Sequence, residues 1–407
     1  MPNLESSIFR IPELIDNIID VLSDDRPTLM ACSTVCKFWL PRSRYALFGR
    51  MKIKIRPTNS EAFFHLLDSP SSTIIPYVHS LHIERDYGGG GEFWFKDVLP
   101  RLVVLGASLK SIVLTLANFV TLAKELEPIF WANFQRLSQL RFDRCRFLSF
   151  VQFVDVISMC PRLQNLSVVD MSCRDDDSPL LALHNQPHHL KWPALSRIAL
   201  SGLGKATFLY WLQCAQELPP IAEVVLDNFI VGDIFHIGTF LRALGPSLLC
   251  LRLPSLIQAG GFKSPASNLG GFAIIQADHP TDDFCEEVDL GYNTHLQVIE
   301  LNSIYQHTIR WMLSILSQIT SPHMREVTLH FYHINNIQDL EIFDWDAFHS
   351  LLQTNPFSSL KTLYIKLDGD GRLKPRKARH FIRGKLHLGN DKGFLCVDDG
   401  SEQPSSQ

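Results

Sequence analysis

Side chains able to do chemistry are concentrated in a few short stretches of this chain. His184, with His188 and His189, stands near Cys173 and the run Asp175, Asp176 and Asp177. Imidazole, thiolate and carboxylate are the ligands that zinc and related ions take. No helical spacing gathers these groups on one face, so the stretch reads as an inserted polar loop. Asp368, Gly369, Asp370 and Gly371 imitate the opening of a calcium loop, but the twelfth position holds Arg379 where a bidentate Glu is needed, and the stretch reads as a turn. Residues 88–91 are all glycine but lack the Lys-Ser/Thr of a phosphate loop. Residues 374–385 are basic enough for an anion patch or a nuclear signal, and read as a solvated terminal face. No Gly-x-Ser-x-Gly motif and no activated Cys/His pair can be assembled. The expectation is a chain with no catalytic residues, metal or cofactor.

Composition agrees with a folded globular protein. Of 407 residues, 46% are hydrophobic, 10% aromatic and 20% charged, the balance of ordinary globular chains rather than disordered ones. A net charge of -4 gives no general reason to expect nucleic acid. Uncharged apolar runs such as residues 111–123 fall short of the ~20 residues that span a bilayer, so no membrane is expected. The opening residues include Glu5, Arg10, Glu13 and Asp16, which interrupt any signal-peptide core. Nine cysteines without a Cys-x-x-Cys pair argue against both a disulfide framework and a zinc site. These readings together imply a cytoplasmic or nuclear location.

The elements that position everything else repeat. Apolar residues at positions 1, 4 and 6 recur as Val78/Leu81/Ile83, Leu109/Ile112/Leu114, Leu137/Leu140/Phe142, Leu163/Leu166/Val168 and Leu195/Ile198/Leu200. They continue as Ile221/Val224/Leu226, Leu248/Leu251/Leu253, Leu296/Ile299/Leu301, Met324/Val327/Leu329 and Leu360/Leu363/Ile365. First positions advance by 31, 28, 26, 32, 26, 27, 48, 28 and 36 residues. Pro76, Pro161, Pro193, Pro219, Pro246 and Pro322 each stand two residues before a first position, whereas chance would give about 0.6 such coincidences. Proline cannot continue a helix and pushes its neighbour to extended backbone, so it marks a switch from helix to strand. Helices are expected over 150–159, 206–218, 234–244, 308–319 and 345–352. Strand and helix alternating at this period build an α/β solenoid on a parallel sheet. Outward strand positions would then be His82, Val113, Arg141, Ser167, Ala199, Val225, Arg252, Glu300, Thr328 and Tyr364, a mixture that suits a protein surface.

At the other end, residues 11–48 read as three short helices. Pro12 suits a first helical turn, and Leu14, Ile15, Ile18, Ile19 and Leu22 recur at spacings of three and four. Ser23, Asp24 and Asp25 end the helix and offer caps for the next, which restarts at Pro27 with Leu29 and Met30 inward. Val35, Phe38, Trp39, Tyr45 and Phe48 supply a third element. So small a unit carries more apolar side chains than it can hide, which suggests a partner.

The order of these features, a Leu-Pro-like pair Ile11-Pro12, a break, then Val35-Cys36-Lys37-Phe38-Trp39, resembles an F-box. That resemblance implies docking on the Skp adaptor, and through it on a cullin-based ubiquitin ligase, by Ile11, Pro12, Leu14, Ile18, Val35, Cys36 and Trp39. The repeats resemble leucine-rich repeats, so the whole is similar to the fungal-type F-box/leucine-rich-repeat family. The fold class that follows is α/β: an F-box at 1–50, then an irregular leucine-rich-repeat horseshoe of about ten repeats with a concave parallel sheet at 51–367, interrupted near 257–285. An extension with a disordered tail follows at 368–407, where 386–388 and 394–397 could pair as a hairpin. Position 9 departs from the family, holding Cys145 but then Met171, Leu203, Phe229, Leu256 and Ile304, so the ladder usually found at that turn is not expected. The function implied is a non-catalytic substrate receptor. Its unidentified protein target would be held by Arg141, Arg252, Glu300 and Tyr364. The alternative is an interaction scaffold without a ligase.

Overall fold

The computed structural model describes residues 11–49, 52–70, 72–85, 94–121, 131–174, 194–202, 204–214, 217–228, 231–253, 286–303, 309–332, 334–368, 373–386 and 395–398. The chain forms two compact units, the first Met1–Ala182 with Leu190–Ala194, the second Leu183–His189 with Leu195–Gln407.

The first unit opens on three helices, α1 (Pro12–Val21), α2 (Arg26–Val35) and α3 (Leu40–Arg44). Pro12 sits in the first turn of α1. The Asp25 side chain caps α2 by accepting from the Thr28 amide at 3.2 Å, as the break at residues 23–25 requires. Ile15, Ile19, Leu29, Cys32, Ala46 and Leu47 close a small core of their own, with Leu22, Trp39 and Phe48 packed against it. Five parallel strands follow: β1 (Ile53–Ile55), β2 (Ser80–Glu84), β3 (Ser111–Thr115), β4 (Gln139–Asp143) and β6 (Asn165–Val169), while the two-residue strands β5 (Arg146–Phe147) and β7 (Ser172–Cys173) pair with each other in a second, small sheet. Each fourth position faces the next in register, Leu81 with Ile112, Ile112 with Leu140 and Leu140 with Leu166.

In the second unit seven parallel strands stand in chain order, β8 (Arg197–Ser201), β9 (Glu223–Asp227), β10 (Cys250–Leu253), β11 (Val298–Ser303), β12 (Glu326–Phe331), β13 (Thr362–Leu367) and β14 (Leu395–Asp398). Again the fourth positions form one row, running Ile198, Val224, Leu251, Ile299, Val327 and Leu363. All six are buried. The 48-residue step leaves that register untouched, because β10 pairs directly with β11; the inserted stretch near 257–285 lies outside the described residues. Helices alternate with the strands much as the prolines require: Phe150–Ser158, Lys205–Gln213, Ile234–Leu244, Ile309–Ser317 and Trp345–Leu352. The helix expected to reach residue 218 ends at Gln213.

Three expectations are corrected. The repeat does not stop at Ile365: β14 pairs parallel to β13, Leu395 with Leu363 and Val397 with Ile365. Among the described residues, Leu386 is not in the expected hairpin but closes the helix Pro375–Lys385, whose Ala378, Ile382 and Leu386 are buried. A helix-to-strand connection permits the parallel pairing that a tight hairpin turn cannot. The turn after the strands is more regular than position 9 suggests. Repeat position 8 is left-handed five times, at Leu116, Arg144, Asp170, Gly202 and Asn228, with φ of 59°, 53°, 48°, 82° and 53°. After the first three of these turns position 9 is buried, at Ala117, Cys145 and Met171. In the first unit it is followed by a second backbone ladder: the Arg146 amide donates to Ala117 at 2.9 Å, Ser172 to Cys145 at 3.1 Å and Arg174 to Phe147 at 2.9 Å. The ladder is built by the backbone and needs no Asn side chain.

Candidate functional site

Two surfaces bring together the residues singled out in the sequence. On α1, burial divides the apolar residues into two stripes. Ile15 and Ile19 are inward, while Ile11, Leu14 and Ile18 remain 42%, 41% and 42% exposed and Val21 86%. Positions 11, 14, 18 and 21 lie three and four apart, hence on one helix face. Val35 is 62% exposed at the end of α2, and Pro12 and Cys36 are also exposed. Trp39 is half-buried against the helical core, so it supports the surface from behind. Met30, expected inward, is 57% exposed, and Phe38, expected to pack a third element, is 55% exposed. On α2 Leu29 and Cys32 take the inward face, and one turn has no room for Met30 beside them. Val21, Met30 and Phe38 are therefore surface residues that the spacing argument missed. For Val21 the signal was present as the second apolar stripe of α1.

Behind that surface, Arg42 fixes the helices together. Its Nε donates to one Asp20 carboxylate oxygen at 3.1 Å and its Nη2 to the other at 2.5 Å, and its guanidinium lies 5.1 Å from the Tyr45 ring centre. Bidentate pairing is the strong form of this interaction.

The second surface is the outward face of the strands in the second unit. Arg252, Glu300, Thr328 and Tyr364 are adjacent in register, as strand alternation predicts. Arg252 is not a free cation. Its Nε lies 3.4 Å from Glu223 and its Nη1 3.4 Å from Glu300. Arg197 continues the series to Glu223 at 3.5 Å, and Lys366 to Glu300 at 3.8 Å. A ladder of alternating charges thus crosses the face; Glu223 and Lys366 were not singled out in the sequence, although both occupy outward strand positions. Arg141 lies in the first unit, at the equivalent position of β4, exposed and 3.7 Å from Asp143.

The remaining chemical candidates are inert or outside the described residues. Burial pushes the Cys145 and Cys160 thiols up to about 12, which leaves no thiolate for nucleophilic work. His184, His188, His189 and residues 175–177, 88–91 and 369–371 lie outside the described residues. Residues 375–385 form a helix with one buried face rather than a fully solvated run.

No family model matches the sequence, and no curated protein matches it. Among solved structures it is similar to the leucine-rich repeat-containing protein LegL7 from Legionella pneumophila, at 11% identity and a TM-score of 0.40 over 89% of this chain and 95% of that one. A chain of the Rad7 and Elc1 complex in yeast is 11% identical, with a TM-score of 0.40 over 97% of this chain and 94% of that one. A protein from Bacteroides fragilis is 12% identical, with a TM-score of 0.36 over 87% of this chain and 75% of that one.

Proposed function

We propose that this chain is a non-catalytic substrate receptor of a Skp-cullin-F-box ubiquitin ligase, working in the cytoplasm or nucleus. Residues 11–39 would dock on the Skp adaptor, and the outward sheet face would hold the protein to be modified. The observation that carries the reading is the apolar surface of Ile11, Leu14, Ile18, Val21, Met30, Val35 and Phe38. It surrounds a helical core that is already closed. Apolar side chains left over after a core has formed mark an interaction site, and this one coincides with the residues that resemble an F-box. A receptor needs no catalytic group, since holding a target beside the ligase raises its effective concentration.

Leu14→Glu with Ile18→Glu tests the docking half. Both side chains are well exposed, so the helices should stay folded while co-purification of the adaptor is lost; truncating interface anchors typically costs ~2 kcal/mol or more each. Pro12→Ala with Trp39→Ala should also abolish capture, though Trp39 will loosen the helical core as well. Undiminished adaptor capture by the double Glu variant would reject the reading.

A further inference from the structure

On β11, Ile299 and Leu301 are fully buried in the core, so alternation turns Glu300 and Asn302 to the opposite, outward face. Asn302 is nevertheless only 3% exposed, and among the described residues its Oδ1 accepts no hydrogen bond. A buried acceptor without a donor is costly, and natural chains keep such groups where something else uses them. Its surroundings say what that is. In register beside Asn302 stand His330 and then Lys366, and the His330 ring stacks on Tyr332 at 4.0 Å. The Tyr332 hydroxyl is pushed up by burial and by the carboxylates of Asp368, Asp227 and Glu300. Glu300 is already matched by Arg252 and Lys366, whereas Asp368 is exposed.

We infer that the outward face around Asn302 recognises a cationic side chain, arginine or lysine, on the bound protein segment. This rests on the reading that the repeats hold a protein target, and names the chemistry they would select. Asn302 Oδ1 supplies the buried acceptor, Asp368 the accessible negative charge, and the His330 and Tyr332 rings a flat wall along which an alkyl or guanidinium group can lie. An acidic segment would meet the same carboxylates and be repelled. Because Asn302 is buried, the entering group must be slender.

The test uses the full chain and two probes, N-acetyl-Gly-Arg-Gly-amide and the same peptide with citrulline, which keeps the shape but replaces one guanidinium nitrogen by a carbonyl oxygen and so removes the charge. The arginine peptide should bind at least about tenfold more tightly in calorimetry, the range expected for a hydrogen bond to a charged group. Asn302→Leu should remove that preference and raise the melting temperature, because an unpaired acceptor has gone. Asp368→Asn should weaken the arginine peptide alone. Asn302→Asp, which folds if the site tolerates a polar group, should tighten it. Equal binding of the two peptides, an unchanged preference in Asn302→Leu, or a lower melting temperature in that variant would overturn the inference. Adaptor capture is measured on the same preparations; its loss in the unmodified chain would sink the ligase reading while leaving the peptide result standing.

Discussion

The helical surface at residues 11–38 and the outward sheet face of the second unit solve the problem of exposure in opposite ways. The first leaves large apolar groups in water, so any partner gains by covering area, at roughly 25 cal/mol per Å². The second is polar and internally matched: Arg197, Glu223, Arg252, Glu300 and Lys366 already pair with one another. A partner along that series displaces existing contacts, and gains from charge only beyond it, where Asp368 is exposed. On the proposed reading, the helical surface would hold its partner through covered apolar area, and the sheet face would discriminate among partners through the placement of charge.

Stability should divide along the same line, and the largest effects test it. Leu251→Ala and Leu301→Ala each empty a fully buried position and should cost about 2–5 kcal/mol in chemical denaturation. Leu14→Ala and Ile18→Ala remove comparable apolar groups from exposed positions and should cost less than about 1 kcal/mol. If the two sets destabilise equally, the apolar stripe belongs to a core and is not a docking surface.

A middle-sized effect concerns the turn that ends each repeat strand. Asn228 holds φ 53°, which asparagine tolerates and β-branched residues do not. Asn228→Val should therefore cost about 1–2 kcal/mol, with Asn228→Gly close to neutral by comparison. Equal losses would show that the side chain, not the backbone conformation, matters there.

That turn also shows what the sequence made legible. The fourth-position row was readable because one apolar residue per repeat must face the core, and its register matches the structure from Leu81 to Leu166 and from Ile198 to Leu363. Asp170, Gly202 and Asn228 announce a left-handed residue by type, but Leu116 and Arg144 adopt the same conformation without announcing it. A pattern search on position 9 side chains therefore missed a ladder made by main-chain groups. The strand Ile53–Ile55 was missed, and residues 394–397 were assigned to a hairpin instead of the repeat, because Arg50 and Lys392 stand where the template needs an apolar first position. In the helical cluster, spacing located the apolar residues of α1 but could not divide Leu14 and Ile18 from Ile15 and Ile19. That division depends on where α2 and α3 pack. Asn302 gave no signal at all, since its burial is a property of neighbouring strands.

A smaller effect is expected from His82, on the outward face of β2. Burial, with Lys52 and Lys54 nearby, holds its pKa near 4 against an ordinary 6.5, and its Nε2 lies 2.9 Å from Thr115 Oγ1. The unfolded chain then takes up the proton first as pH falls. The contribution of this group to stability is present above pH 6.5 and is lost as pH drops through the window from 6.5 to 4. The ring is partly exposed, so solvent reduces the effect, and it is best read as a slope. His82→Gln should flatten stability against pH in that window; an unchanged slope would mean that the ring is solvated and protonates freely.

The smallest effect is the one that most sharpens the contrast. Arg252 lies between Glu223 and Glu300 at 3.4 Å each, yet its side chain is 43% exposed, and exposed pairs contribute only about 0–1 kcal/mol. Removing it leaves Glu223 beside Arg197 and Glu300 beside Lys366, so neither carboxylate loses its only cation. Arg252→Ala should therefore change unfolding free energy by no more than about 1 kcal/mol, and the difference should shrink as salt is raised, because screening acts on exposed pairs. A loss well above that, insensitive to salt, would make the ladder a structural brace. The sheet face would then be committed to holding the strands together, and target selectivity would have to come from elsewhere on the chain.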